Sequence, residues 1–345
     1  MRCIAGHHSG NSWRLLPGGT SEAVPVFNRA MITRRSIIAG TAASLALPAL
    51  AAAPPALMQG PGVHRTKVGA FQVTALYDGT WSLPIDGTFV RNASGGAVNR
   101  ALANAFLPPR VLPISFTALL VNTGTKLVLI DTGTAGQVAD TAGVMLDNLK
   151  IAGVTPDQID TILISHFHPD HIDGLKTKDG AKVFAKAEIV VPEPEWAFWM
   201  NDAKMAGQPK PVQRYFLNAK RIFGDIADEV RRFKPGAEVV PGITSIPAYG
   251  HTPGHTAFAI HSGNQSMLAM SDTVRKPYLF ARHPDWQPIF DMDGSLAVKT
   301  RRRMLDRAAA DRMLVEAYHF PFPASGHMVR RGTGYELVPV EWKPL

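Results

Sequence analysis

The chain has 345 residues, 36 Lys and Arg against 28 Asp and Glu for a formal charge of +8, and one cysteine. Half of that excess lies in the first 53 residues, where Arg2, Arg14, Arg29, Arg34 and Arg35 stand against Glu22; the +4 that remains gives no case for a nucleic-acid partner. Cys3 lies in the same stretch, so the rest of the chain has no thiol for a disulfide, for nucleophilic attack or for metal ligation.

Residues 1–30 carry no clear period and read as a start-site extension ahead of Met31. Residues 31–53 read as a bacterial export signal. A basic start (Thr33-Arg34-Arg35-Ser36), an Ala/Leu-rich middle and the small-residue end Ala49-Leu50-Ala51-Ala52-Ala53 follow in order, and the paired arginines favour the twin-arginine route. The apolar part is broken by Pro48 and falls short of the roughly 20 strongly apolar residues of a membrane span. These features predict a periplasmic or secreted protein with no stable span, whose mature part, residues 54–345, is one domain. About 290 residues can bury one large core without disulfides.

Along that domain, Phe71–Leu76, Phe116–Val121 and Lys126–Ile130 read as strands, the last two joined by the hairpin signal Asn122-Thr123-Gly124-Thr125. The spacing predicts a helix over Val138–Ile151, stopping at Gly153. Thr161–Ser165 reads as a buried strand, Glu193–Phe223 as helical and insertion-like, and Ile243–Ile246, Thr256–Ile260 and Ser266–Met270 as strands again. The basic run Lys299-Thr300-Arg301-Arg302-Arg303 reads as a solvated helix face. Strands and helix-bearing crossovers alternate in both halves, which predicts a single α/β domain.

Four metal-capable side chains crowd into His166-Phe167-His168-Pro169-Asp170-His171, directly after the strand Thr161–Ser165. A loop at a strand end can aim several imidazoles at one point, and imidazole with carboxylate suits zinc and similar divalent ions. More polar groups follow apolar runs: Asp131 after Leu127–Ile130, His251 and His255 after Ile246–Gly250, Asp272 after Met267–Ser271, and His319 after Met313–Tyr318. Strand ends are where α/β proteins gather site residues.

Taken together, His166-x-His168-x-Asp170-His171, Gly250-His251, Asp272 and His319 resemble the metallo-β-lactamase superfamily over essentially the whole mature chain. The resemblance implies an αββα sandwich with a dinuclear site at one edge of its two sheets. His166, His168 and His251 would hold the first ion, Asp170, His171 and His319 the second, and Asp272 would bridge them. Asp131 matches an early aspartate that supports ligands, and His255 a histidine that hydrogen-bonds behind them; His319 is preferred over His327 because it stands at a strand exit. His64, His261 and His283 stand alone and read as surface or packing residues. Three imidazoles leave one ion an open position, and two ions about 3.5–4 Å apart can share a hydroxide that attacks at neutral pH. Zinc is the expected metal, with manganese, iron and cobalt also accepted by such ligands.

Val73–Thr80, Ala317–Pro323 and Gly334–Val340 resemble the methyl parathion hydrolase-like branch, whose relatives process organophosphate triesters, esters and lactones. Quorum-quenching acyl-homoserine lactonases share the ligand set. Some of them carry a tyrosine three residues after the bridging aspartate, where this chain has Arg275; Tyr278 is the nearest substitute. The expected activity is therefore hydrolysis of an ester-type bond in a small molecule, a phosphotriester, lactone or carboxyl ester, with Asp170 orienting the nucleophile or relaying a proton. Trp196, Phe198, Trp199, Phe280, Trp286 and Phe290 are candidate pocket walls. A zinc β-lactamase is disfavoured by Asp272. A glyoxalase II-like thioesterase is disfavoured by the short chain after His319, and a nuclease of this fold by the lack of a further domain. A non-catalytic relic has no need to keep seven ligands. Relatives of this kind are often dimers, which extends a homodimer to this chain as an expectation.

Overall fold

The computed structural model describes residues 59–345. The start-site extension at 1–30, the export signal at 31–53 and the domain boundary at 54 lie outside the described residues.

Strands β1 (Val63–Val68), β2 (Phe71–Pro84), β3 (Val111–Asn122), β4 (Leu127–Ile130), β5 (Thr161–Leu163), β6 (Glu188–Pro192) and β7 (Arg231–Phe233) form one sheet in chain order. Strands β8 (Glu238–Val240), β9 (Ile243–Pro247), β10 (Thr256–Ser262), β11 (Gln265–Ala269), β12 (Leu314–Glu316), β13 (Ser325–Arg331) and β14 (Gly334–Pro339) form a second, also in chain order. Both sheets are mixed. The first is antiparallel from β1 to β4 and parallel from β4 to β7, and the second has one parallel pair, β11 with β12.

The central strands are apolar on both faces, as strands covered on both sides must be. Side-chain alternation then sorts them into layers. Leu119, Val121, Phe258, Ile260, Met267 and Ala269 meet in a core between the sheets. Their neighbours Ala118 and Leu120 turn outward to a core under the helices, while Ala257, Leu268 and Met270 turn to a third core on the other side. The helices on the first sheet include α1 (Gly95–Asn104), α2 (Met145–Ile151), α4 (Glu193–Trp199) and α6 (Lys210–Phe223); α7 (Gly294–Ala310) covers the second. The result is the expected αββα sandwich. Among the described residues, no helix is long and apolar enough to cross a membrane.

Two helical expectations change. The helix expected over 138–151 forms only at α2, because Gly143 holds φ +102 and the Asp78 carbonyl captures the amides of Gly143 and Val144. The 193–223 segment is three helices. Asn201 caps α5 (Asp202–Ala206) by accepting from Lys204, and Pro209 and Pro211 start α6 afresh.

Candidate metal centre

Strands β4 and β5 run parallel, as do β11 and β12, and β9 is antiparallel to the same strand, β10, that β11 opposes. Their C-terminal ends therefore open at one edge within each sheet, and a bond from the Thr256 amide to the Ser165 carbonyl at 3.0 Å joins the two sheets there. Asp131 follows β4, and His166 and His168 follow β5. Asp170 and His171 begin the short helix α3 (Pro169–Ile172). His251 follows β9, Asp272 follows β11 and His319 follows β12.

All seven expected ligands come together there. His166, His168, His251 and Asp272 form one group, and Asp170, His171 and His319 another, with the candidate ligand atoms of each group within 4.8 Å of one another. Asp272 lies between them. Its Oδ2 is 3.3 Å from His251 Nε2 and 3.0 Å from His319 Nε2, and its Oδ1 is 3.2 Å from His171 Nε2. Asp170 Oδ2 is 3.4 Å from Nε2 of both His171 and His319.

Three of the imidazoles are tied down on their far side. His171 Nδ1 donates to Asp131 Oδ2 at 2.8 Å, His251 Nδ1 to Asp291 Oδ1 at 3.0 Å, and His319 Nδ1 to the Ser115 carbonyl at 2.9 Å. A proton on Nδ1 leaves the lone pair on Nε2, facing the cluster. His166 Nε2 and His251 Nε2 each lie 3.0 Å from His168 Nδ1. Nitrogens on one tetrahedral zinc, each 2.0–2.1 Å from it, would stand about 3.3 Å apart. Such lone pairs repel unless a cation lies among them. Where the two groups meet, His171 Nε2 and Asp272 Oδ1 are buried and make no hydrogen bond. The residues present therefore fit two metal ions.

Charge in the site agrees. Burial pulls His166 and His168 well below the usual imidazole value, and neighbouring imidazoles add to it. His171 resists burial and is pushed well above that value by the carboxylates of Asp170, Asp131 and Asp272. Burial would raise Asp170 and Asp272, but facing imidazoles hold both below the usual carboxylate range. A pocket this acidic holds positive charge, as protons or as metal.

Backbone strain collects at the same edge. Asp131 and Ser271 hold φ of +60 and +46, a region costly for residues other than glycine. Each is held there by hydrogen bonds: Asp131 accepts from the Ser165 amide at 2.8 Å and its hydroxyl at 2.7 Å, and the Ser271 hydroxyl donates to Ser165 Oγ at 2.9 Å.

The profile of the Metallo-beta-lactamase superfamily matches residues 114–315, more than half of the chain. The chain belongs to the metallo-β-lactamase superfamily. Among solved structures of that fold, it is similar to "hydrolase AbOPH in beta lactamase superfamily", with 30% identity, 83% of this chain and 100% of that chain covered, and a TM-score of 0.78. It is also similar to AidC, described as a dizinc quorum-quenching lactonase in complex with its product N-hexanoyl-L-homoserine, with 26% identity, coverage of 82% and 99%, and a TM-score of 0.77. In sequence it is 23% identical over 231 residues to the N-acyl homoserine lactonase AiiA of Bacillus thuringiensis subsp. kurstaki, spanning 61% of this chain and 84% of that one. This superfamily member is thus a metal-dependent hydrolase with lactonases among its relatives.

The supporting residues follow expectation in part. His255 stays off the cluster: its Nδ1 donates to the Ala248 carbonyl and its Nε2 accepts the Asp272 amide at 3.1 Å, so it fixes the backbone of the shared aspartate. His327 sits on β13 and bonds the Met313 carbonyl, away from the site. The aromatic walls need correction. A cleft of about 530 Å³ opens onto His168 and Asp170. Of the six aromatic residues expected there, Phe290 alone lines it, with Trp81, Phe116 and Tyr215 as the other aromatic walls. Trp196, Phe198, Trp199, Phe280 and Trp286 pack in or against the core under the first sheet. Arg275 lines the cleft, stacks on Phe290 and reaches Asp272 Oδ2 at 3.5 Å, whereas Tyr278, the nearest substitute for the lactonase tyrosine, lines a different cavity.

Three residues escaped the sequence. Buried Glu195 on α4 accepts from the amides of Phe167 and Gly254. Buried Asp291 holds His251 and is itself held by Arg301 Nη2 at 2.8 Å. Arg301 lies in the run expected on a solvated face, yet it is 1% exposed, so that expectation fails for it.

Proposed function

We propose that this enzyme is a dinuclear metal-dependent lactonase of broad ester type, acting on acyl-homoserine lactones or close relatives. The observation that carries the reading is the pair of ligand groups with Asp272 between them, beside a cleft with largely apolar walls. The likeness to AidC and AiiA supports the choice of lactone. His166, His168 and His251 would hold one ion, Asp170, His171 and His319 the other, and Asp272 both; zinc suits these donors. Ions bound there would supply Lewis-acid polarisation of the substrate oxygen and a water of lowered pKa.

The chain's own residues do the rest. Asp131, Asp291 and the Ser115 carbonyl fix ring orientation, so the site costs little reorganisation as charge develops. Asp170 combines a cleft-facing position with 16% side-chain exposure, which suits it to carry a proton to the departing alkoxide. Trp81, Ile114, Phe116, Tyr215 and Phe290 offer an acyl chain apolar contact. Arg275, stacked over Phe290, would steer the carbonyl or phosphoryl oxygen. The twin-arginine pattern at Arg34-Arg35 supports export to the periplasm.

Purified, zinc-loaded protein should be assayed on an acyl-homoserine lactone and an aryl phosphotriester, each with a chelated control. Chelator-sensitive lactone opening is the expected result. Turnover of the triester alone would move the protein to organophosphate chemistry, and turnover of neither with two metals bound would defeat the substrate reading.

A further inference from the structure

Strand β3 separates two cavities. Ile114 and Phe116 line the metal cleft, whereas Pro113 and Ser115, alternating to the other face, line a second cavity of about 680 Å³. Lys276 lines the second cavity and is 3% exposed. Its ammonium has a single hydrogen-bond partner among the described residues, the Ser115 hydroxyl at 3.0 Å, and that hydroxyl donates onward to the Phe320 carbonyl at 2.7 Å. No carboxylate among the described residues pairs with Lys276, and Arg275 adds a like charge nearby. An ammonium has three donors, so two remain unfilled. A buried cation without a counter-charge is costly, and burial accordingly pushes this amine down to about 7.

We propose that this cavity binds an organic monocarboxylate, with the carboxylate on Lys276 and the apolar body along Tyr77, Pro113, Tyr278 and Phe322. One lysine with no arginine in the lining matches a single negative charge better than a phosphate dianion. Proline, leucine and aromatic walls suit an alkyl or aryl chain. The site is also wired to the metal centre. Ser115 takes Lys276 on its hydroxyl and His319 Nδ1 on its carbonyl, so an occupant that moves Lys276 acts one residue from a ligand without entering the cleft. Binding in this cavity does not depend on the lactonase reading.

Octanoate titrated by calorimetry into the zinc-loaded full-length protein tests this, with 1-octanol as the uncharged control. The expected result is a saturable octanoate phase, absent with octanol, that weakens at least tenfold in Lys276→Met. Leu107→Trp, which narrows the same cavity and keeps the lysine, should lose the same phase. Any octanoate held by the metals would persist in both variants. Crystals soaked with 8-bromooctanoate should show bromine anomalous signal in the second cavity. No saturable phase in the wild type, equal binding of octanol, wild-type binding by both variants, or bromine in the metal cleft alone would each overturn the proposal.

Discussion

Glu195 joins two loops that carry metal-site histidines, and removing it should cost both stability and metal. Its buried carboxylate accepts from the Phe167 amide at 3.0 Å, between His166 and His168, and from Trp199 Nε1 at 2.6 Å. On the other side it accepts from the Thr252 hydroxyl at 2.5 Å and the Gly254 amide at 2.7 Å, just past His251. The approach is close enough that a Cβ on Gly254 would lie 2.3 Å from the Glu195 amide nitrogen. Glu195→Ala leaves four buried donors without an acceptor, each costing about 1–3 kcal/mol. Against this, burial pushes the Glu195 carboxyl from 4.5 up to about 7, so its charge carries a cost of roughly 3 kcal/mol that the variant removes. The net expectation is a loss of about 4 kcal/mol in denaturant unfolding of the zinc-loaded protein. Chelator competition should show at least tenfold weaker metal binding, since both loops lose their anchor. Glu195→Gln, which keeps one carbonyl acceptor, should fall between. A Glu195→Ala protein within about 1 kcal/mol of wild type, with unchanged metal affinity, would refute the reasoning.

Asp291→Asn should weaken metal binding by roughly 10–100-fold, because the carboxylate that accepts from His251 Nδ1 is lost; unchanged affinity in a chelator titration would contradict the role. Lys276→Met should raise stability at neutral pH. The folded amine lies at about 7 against 10.5, so the unfolded chain binds the extra proton and wild-type stability falls as pH drops from 10.5 towards 7. The variant's advantage should reach up to about 5 kcal/mol at pH 7 and shrink near pH 10.5 in paired denaturation curves. Stripping the metals should lower the melting temperature, since ions at a hundredfold their dissociation constant stabilise the fold by about 2.7 kcal/mol; a melting curve indifferent to chelator would tell against a metal centre in this cluster.

The clustered residues were legible because four sit within six residues and the others each close an apolar run. The layers were legible for a similar reason, since short continuous apolar runs, buried on both faces, mark strands such as β3 and β10. The supports were not. Glu195 meets partners from two other segments, and Asp291 joins a histidine 40 residues before it to an arginine ten residues after it. Nothing local in the sequence marks either. Trp196 and Phe198 show the limit of composition, because an aromatic residue near a site looks the same whether it faces the cleft or the core. The 138–151 helix failed where apolar spacing ignored Gly143 and the capture of its amide by Asp78.

The proposed function requires the cluster around Asp272 to hold two metal ions and the protein to hydrolyse an ester bond. Metal content per chain should be measured together with ring opening of N-hexanoyl homoserine lactone, in wild type and in Asp272→Ala. Two ions and chelator-sensitive turnover in the wild type, with turnover lost in the variant, is the predicted result. Chelator-insensitive hydrolysis, or an Asp272→Ala protein that binds two ions and turns over as the wild type does, would contradict it.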